Sequence, residues 1–160
     1  MQLDKISYQK HCRWMQYALQ LAEEASKAGE VPVGAVIIDA EESIVGQGNN
    51  RKERDRDPTA HAEIIAIRQA SKGAANWHLN HCTLYVTLEP CPMCSGAIVQ
   101  ARLGTLVYGA DDIKTGAVRS VLNLPDSAAS NHYLTVIGGI LDTACREQLQ
   151  QWFAQKRVSQ

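Results

Sequence analysis

The fold is decided by residues 83–94, which read Thr-Leu-Tyr-Val-Thr-Leu-Glu-Pro-Cys-Pro-Met-Cys. Residues 83–87 are apolar or β-branched and predict a buried strand, and residues 91–102 predict a helix. Cys91 and Cys94 are three residues apart and therefore share one face of that helix, whose N-terminal partial charge favours thiolates. The pair alone leaves three interpretations open, namely half of a zinc site, a redox dithiol or two structural cysteines.

Alternating helical and extended segments on both sides of this stretch predict the fold class. Apolar residues recur at helical spacing over residues 8–28 and 142–156, and Asp57 and Pro58 predict the cap and first residue of a helix that runs through residue 71. The predicted strands are 33–38, 44–50, 83–87, 105–108 and 134–137. This order predicts a three-layer α/β/α fold with a central mixed five-stranded sheet, built as a single domain of residues 1–160.

Charge and cysteine usage limit the classes of function. The 160 residues include 16 basic and 17 acidic side chains, for a net charge of −1, which argues against coating long nucleic acid through bulk charge. Basic residues cluster at 51–56 and at 156–157, although Glu53 and Asp55 make the first cluster more typical of a solvated charged loop than of a binding patch. The cysteine count is odd, and the sequence has neither a signal-peptide pattern nor an apolar run long enough to span a bilayer. These features predict a cytoplasmic protein that does not associate with a membrane.

A third candidate metal ligand, His61, stands two residues before Glu63 near the start of another predicted helix. If both helix N-termini meet at one sheet edge, an imidazole and two thiolates converge, and three protein ligands with an open fourth position are typical of catalytic zinc. A closed structural site would need a fourth ligand, for which the candidates are Cys82, His132 and Cys145. Residues two apart on a helix point in nearly opposite directions, so spacing alone leaves Glu63 open as an ordinary exposed glutamate.

The order His61-x-Glu63 followed by Pro90-Cys91-x-x-Cys94 resembles the zinc deaminases of the cytidine-deaminase-like superfamily. Segments 57–63 and 90–94 are similar in tRNA-specific adenosine deaminases and in guanine deaminases, and do not separate the two. The segments that resemble the bacterial tRNA-specific adenosine deaminases in particular are 30–35, 50–51, 107–117, 131–132 and 152–157. This resemblance covers nearly the whole chain.

The resemblance implies a reaction and the residues that perform it. His61, Cys91 and Cys94 would bind one zinc ion per subunit, and Glu63 would carry protons between the attacking water and the adenine. Adenosine would become inosine at the wobble position of a tRNA anticodon, with release of ammonia. Within the superfamily, the alternative is guanine deaminase or another deaminase of free bases or nucleotides. A non-catalytic RNA-binding protein with a structural zinc is a further alternative, which an intact Glu63 disfavours.

The resemblance also implies how the RNA is held. Asn50 would contact the target nucleoside, Asp112 and Lys114 the flanking nucleotides, and Arg51 a phosphate or the anticodon loop. Lys156 and Arg157 are further candidate contacts to phosphates. The implied partners are a tRNA anticodon stem-loop and a second copy of the chain, since the family is homodimeric.

Overall fold

A computed structural model describes residues 2–160, and over these residues the strands form one mixed sheet between two layers of helices. The helices are α1 (Lys5–Lys27), α2 (Lys52–Asp55), α3 (Ala62–Ala74), α4 (Pro92–Gln100) and α5 (Asp142–Val158). The strands are β1 (Gly34–Ile38), β2 (Ile44–Asn49), β3 (Thr83–Leu88), β4 (Thr105–Ala110) and β5 (Thr135–Ile137), in the sheet order β2-β1-β3-β4-β5. The predicted three-layer α/β/α fold with a five-stranded mixed sheet is confirmed.

Strand β1 shows why the chain needs a helical layer on each side. Its alternate residues Ala35 and Ile37 belong to one apolar core with α3 and α4, while Val36 and Ile38 belong to a second core with α1 and α5. All five residues of β1 are buried, as expected for a strand covered on both faces. The near-continuous apolar run in the sequence therefore reflects a central strand.

Helix α1 packs unusually close to β1 because Gly34 carries no side chain. A Cβ atom at Gly34 would collide with the carbonyl oxygen of Ala18 and would lie 2.6 Å from the backbone nitrogen of Ala22. Small buried residues on the helix and glycine on the strand thus bring the two backbones together. The position of α1 depends on this close contact.

The predicted start of the helix at Asp57 and Pro58 is wrong. Helix α3 begins at Ala62, and His61 is its N-cap residue in an extended conformation, with φ −76° and ψ 152°. The Asp57 carboxylate instead accepts hydrogen bonds from the Thr59 backbone N–H at 2.8 Å and the Thr59 hydroxyl at 2.7 Å, which closes a turn ahead of the helix. Residues of the predicted charged loop also form the short helix α2.

Four strands end at the same edge of the sheet, and three of them, β2, β3 and β4, lead into the candidate site. Strand β1 is antiparallel to β2 and β3, and β3 is parallel to β4, so β2, β3 and β4 all run in one direction. Their carboxyl ends are followed directly by Asn50, Glu89 and Asp111. Helices α3 and α4 begin at this edge, where the candidate site lies. Among residues 2–160, no helix combines the length and apolar character needed to cross a bilayer.

Candidate active site

His61, Cys91 and Cys94 converge at the N-termini of α3 and α4. His61 caps α3, Cys91 caps α4, and Cys94 lies in the first turn of α4 after Pro92. The His61 Nδ1 atom lies 3.6 Å from the Cys91 sulfur and 3.4 Å from the Cys94 sulfur. The prediction that the two helix N-termini bring these side chains together is confirmed.

The spacing of the three ligand atoms fits a tetrahedral zinc ion. Zinc–nitrogen and zinc–sulfur bonds of about 2.05 and 2.3 Å place nitrogen and sulfur about 3.6 Å apart at the tetrahedral angle. The observed separations of 3.4 and 3.6 Å agree with that value to about 0.2 Å. One imidazole and two thiols are also the donor types that zinc prefers. The residues present therefore fit this metal.

The two cysteines share their protons unequally. Contact with the Cys94 side chain, followed by that with His61, lowers the pKa of Cys91 to about 4. The same contact, together with burial, raises the pKa of Cys94. Such a pair loses its first proton readily, and its second only when a nearby cation balances the added charge. The site is thus suited to a divalent cation.

Candidates for a fourth protein ligand lie elsewhere. Cys145 is buried in the core on the α1 side of the sheet, and Cys82 precedes β3 at the opposite edge. The His132 Nε2 atom lies 2.6 Å from the Leu103 carbonyl oxygen, so this side chain fastens the loop before β5. Within residues 2–160, the group of metal-ligating side chains consists of His61, Cys91 and Cys94. A metal bound here would keep a position open towards the cavity.

Glu63 faces the same cavity as His61 and Cys91. Residues two apart within a helix point in nearly opposite directions, but His61 is an extended cap residue and not a helical one. That rule therefore does not apply to His61 and Glu63. The Glu63 side chain is 4% exposed, which excludes the interpretation as an exposed helix glutamate. Burial raises the pKa of the Glu63 carboxyl. A carboxyl group of this kind is suited to taking up and releasing a proton.

A cavity of about 490 Å³ lies in front of the cluster and Glu63. One wall contains Asn50, which follows β2, and the facing wall is formed by residues 111–115, which follow β4. Leu149 and Phe153 of α5 close a third side. The cavity therefore combines a polar base with partly apolar walls, as is typical of sites for small ligands and bases.

Asn50 and Asp112 line this cavity, and both also support its walls. The Asn50 Nδ2 atom donates to the Val31 carbonyl oxygen at 3.1 Å, and its Oδ1 atom accepts from the Lys52 backbone N–H at 3.2 Å. The Asp112 Oδ1 atom accepts from the backbone N–H groups of Lys114 and Thr115, at 3.0 and 3.1 Å. Lys114 is exposed at the cavity rim.

The remaining basic candidates lie outside the main cavity. The Arg51 Nε atom lies 3.0 Å from the Asp55 Oδ2 atom, in an ion pair one helical turn apart. Lys156 and Arg157 line a second cavity of about 450 Å³ that shares Asn50, Lys52 and Phe153 with the first. The Lys156 ammonium lies 5.2 Å from the centre of the Trp152 ring.

Two buried carboxylates were not predicted from the sequence. Glu30 and Glu89 are each 1% exposed, and each bonds to the backbone of a segment that forms a cavity wall. The Glu30 Oε1 atom accepts from the Glu53 backbone N–H at 2.8 Å, and its Oε2 atom lies 3.3 Å from the Arg54 Nε atom. The only local signal for Glu89 is a carboxylate placed directly between an apolar strand and a proline.

Comparisons with known proteins show the family to which the chain belongs. Residues 9–151 match the MafB19-like deaminase family. A tRNA-specific adenosine deaminase of Haemophilus influenzae is 48% identical over 91% of this chain and 84% of its own length. A solved structure from a study of A-to-I editing by tRNA:A34 deaminases at the wobble position of transfer RNA superposes with a TM-score of 0.83. It is 39% identical, over 86% of this chain and 99% of its own.

A guanine deaminase from Nitrosomonas europaea is a more distant structural neighbour, with a TM-score of 0.76 and 26% identity over 88% of this chain and 82% of its own. The expected cytidine-deaminase-like fold is therefore confirmed by both solved structures. The match over residues 9–151 and the 48% identity place the chain well inside this group. The chain belongs to the MafB19-like deaminases and, among named relatives, to the tRNA-specific adenosine deaminase family.

Proposed function

We propose that this chain hydrolyses adenosine to inosine at the wobble position of a tRNA anticodon, with release of ammonia. The observation that carries the proposal is the cluster of His61, Cys91 and Cys94 with buried Glu63 beside it, at the base of an open cavity. The choice of substrate is supported by relatives named as tRNA-specific, which are more similar to this chain than the guanine deaminase is.

One zinc ion per chain, held by the three clustered side chains, would supply a water whose pKa falls from about 15.7 to about 7. Glu63 takes one proton from the attacking water and delivers it to the adenine ring nitrogen, and then takes the second proton from the hydroxyl of the adduct and delivers it to the departing amine. Water adds at the ring carbon that bears the amine, and the carbon–nitrogen bond to the amine breaks to give inosine and ammonia. Burial of Glu63 keeps bulk water from competing for these protons.

The polar groups on the two walls position the target nucleoside. Asn50 has one N–H of its amide without a partner within residues 2–160, and this N–H is available to the sugar or base. Asp112 and Lys114, on the facing wall, contact the flanking nucleotides. An anticodon loop is single-stranded, so its bases turn outward for only a few kcal/mol.

The second cavity continues the first and gives the RNA backbone a path. Lys52, Lys156 and Arg157 line it and supply positive charge for phosphates. Trp152 and Phe153, on the same helix, offer aromatic faces beside this charge. Arg51 is assigned a supporting contact to the loop, because its guanidinium already pairs with Asp55.

A second copy of the chain is the expected protein partner. Met93, Val121 and Leu122 are apolar side chains that are 37%, 53% and 51% exposed. The backbone N–H groups of Val121 and Leu122 donate to the Gly116 carbonyl, and that of Ala117 donates to the Pro90 carbonyl, so the segment that carries Val121 and Leu122 is bonded to the chain just before α4, which carries Met93. Apolar patches of this kind are typical of subunit interfaces.

Two further expectations accompany this proposal. Residues 1–160 act as a single domain, and the protein works in the cytoplasm. The cytoplasm is supported by five cysteines, all of them unpaired in the structure, since a reducing compartment keeps thiols free.

The proposal is tested with a synthetic anticodon stem-loop that carries adenosine at the wobble position. We expect inosine in this RNA from the wild-type protein and none from Glu63→Ala, which should retain its zinc. Free guanine, cytidine and adenosine serve as competing substrates in parallel reactions. Turnover of guanine or cytidine without inosine in the RNA would assign the site to a free-base deaminase. Binding of the RNA without any turnover by the zinc-loaded protein would indicate a non-catalytic RNA-binding protein.

A further inference from the structure

Glu89 is a buried carboxylate whose bonding partners all come from one segment of the chain. Its Oε1 atom accepts from the backbone N–H groups of Arg119 and Ser120, each at 3.0 Å, and from the Ser120 hydroxyl at 3.1 Å. Its Oε2 atom accepts from the Asp112 backbone N–H at 3.4 Å. These donors lie 23 to 31 residues further along the chain, in the segment between β4 and β5.

Glycine at position 116 is required by this contact. A Cβ atom at Gly116 would collide with the Glu89 Oε2 atom and would lie 2.5 Å from the Asp112 carbonyl oxygen. The backbone N–H of Gly116 also donates to that carbonyl at 2.9 Å. The segment is therefore folded tightly around the carboxylate, with no space for a side chain between them.

Glu89 and this segment depend on each other energetically. A buried carboxylate is costly unless hydrogen-bond donors or a cation replace the water it has lost. Within residues 2–160, Glu89 has no ion-pair partner, so its bonds to Asp112, Arg119 and Ser120 supply that replacement. The same bonds add to the turn bonds of the segment, in which the backbone N–H groups of Val121 and Leu122 donate to the Gly116 carbonyl. Loss of the carboxylate would therefore loosen the attachment of residues 112–120 and leave these turn bonds in place.

The segment held by Glu89 is a wall of the substrate cavity. Residues 111–115 line the cavity directly, and Asp112 is both a bonding partner of Glu89 and the start of the turn that places Lys114. On the other side, the backbone N–H of Glu89 donates to the Ala110 carbonyl of β4 at 2.8 Å, so the carboxylate is fixed to the sheet. Glu89 thus connects the rigid sheet to the wall that meets the substrate.

We propose that Glu89 is a positioning residue: by anchoring residues 112–120 to the sheet, it sets the affinity of the site for the nucleotides that flank the target base. The nature of the ligand rests on the proposed function, whereas the anchoring itself does not. Glu89 lies at the cavity with His61 and Cys91, but within residues 2–160 its carboxylate accepts hydrogen bonds from the segment 112–120 and none from the three metal-ligating side chains. Its loss should therefore affect binding of the RNA more than the chemical step.

The test compares Glu89→Gln with the wild-type protein. The amide keeps the volume of the side chain but places an NH₂ group against at least one N–H donor, which breaks part of the anchor. We expect the KM for the anticodon stem-loop to rise about tenfold while kcat stays within about twofold. Zinc content should be unchanged, and the backbone amides of residues 112–120 should exchange with deuterium about tenfold faster.

Asp39→Asn is the matched control. The Asp39 Oδ1 atom accepts from the backbone N–H groups of Glu41 and Ser43, at 3.0 and 2.8 Å, in the turn between β1 and β2 at the opposite edge of the sheet. The amide of this variant keeps an oxygen at the position of Oδ1 for both N–H groups, so the same carboxylate-to-amide change away from the cavity should leave KM and the melting temperature nearly unchanged. Gly116→Ala, which displaces the segment while keeping Glu89, should raise KM as Glu89→Gln does, and it replaces Glu89→Gln if that variant does not fold.

An unchanged KM in both Glu89→Gln and Gly116→Ala would overturn the proposal. A loss of zinc with a lower kcat at constant KM would also overturn it, because Glu89 would then support the metal ligand Cys91 rather than the cavity wall. If the wild-type protein made no inosine, the proposed function would fail, and the exchange measurement alone would decide the role of Glu89. Faster exchange confined to residues 112–120 would then support the anchor. Unchanged exchange would refute it.

Discussion

Replacing Glu63 with glutamine separates the chemistry of the site from its structure. Glutamine has nearly the same shape as glutamate, so the buried position in the first turn of α3 remains filled. It cannot accept a proton from water or give one to a leaving amine. The variant therefore removes proton transfer and leaves packing, cavity shape and the three metal-ligating side chains in place.

The structure indicates how the substitution should change kcat and how it should change stability. General acid–base catalysis contributes about 10²- to 10⁴-fold, and Glu63 is the only carboxyl we assign to both proton transfers, so kcat should fall at least about 100-fold, or about 2.7 kcal/mol in the barrier. Stability should respond in the opposite direction. Burial raises the pKa of Glu63, which means that the folded protein pays to keep the ionised form, and a neutral amide removes that cost. The melting temperature should stay the same or rise.

The assay measures inosine formed in the anticodon stem-loop under single-turnover conditions, together with zinc content and thermal unfolding. Glu23→Gln, at an exposed position of α1, is the control for the same chemical change away from the site. The reasoning would be refuted if Glu63→Gln kept more than about a tenth of the wild-type rate. It would also be refuted if the loss of rate came with loss of zinc, because the effect would then belong to the metal site.

Three further predictions concern other parts of the fold. Burial lowers the pKa of His11, whose Nδ1 atom lies 2.9 Å from the Tyr85 hydroxyl. The unfolded chain therefore binds more protons than the folded protein as the pH drops through about 6.5. The free energy of unfolding, measured in urea, should fall in that pH range, and it should fall less in His11→Gln. Gly34→Ala, which sets a Cβ atom 2.6 Å from the Ala22 nitrogen, should lower the free energy of unfolding by about 1–3 kcal/mol in urea titrations. Lys156→Ala should weaken RNA binding at low salt and reduce the slope of log K against log salt by about 0.7, measured by fluorescence anisotropy.

The sequence predicted the layers of the fold because the relevant signals are local. The buried run at 33–38 and the helical spacing of apolar residues in α1 each reflect a face that packs against the sheet. The start of α3 was predicted wrongly because Asp57 and Pro58 are an ordinary cap and first-turn pair. What fixes the true cap is long-range: the His61 imidazole contacts two sulfurs 30 and 33 residues away, and the helix begins only after it.

The candidate site also has one part that the sequence predicted and another that it did not. The cluster of ligands and Glu63 were recognisable because residue types and order carry the chemistry. The anchor at Glu89 was not, because its partners lie in the irregular segment after β4, and no spacing rule relates them. The contact made by Arg51 was also not predictable from the sequence, because a guanidinium can pair with either a carboxylate or a phosphate. In the structure it pairs with Asp55.

The central claim is that His61, Cys91 and Cys94 form an open, three-ligand zinc site. X-ray absorption at the zinc edge of the purified protein tests it most directly, because sulfur and nitrogen or oxygen neighbours differ in distance and scattering. We predict one zinc per chain with two sulfur neighbours at about 2.3 Å and two lighter neighbours at about 2.0–2.1 Å, one of which is not from the protein. A shell with three or more sulfur atoms, or protein purified in active form without zinc, would contradict the account.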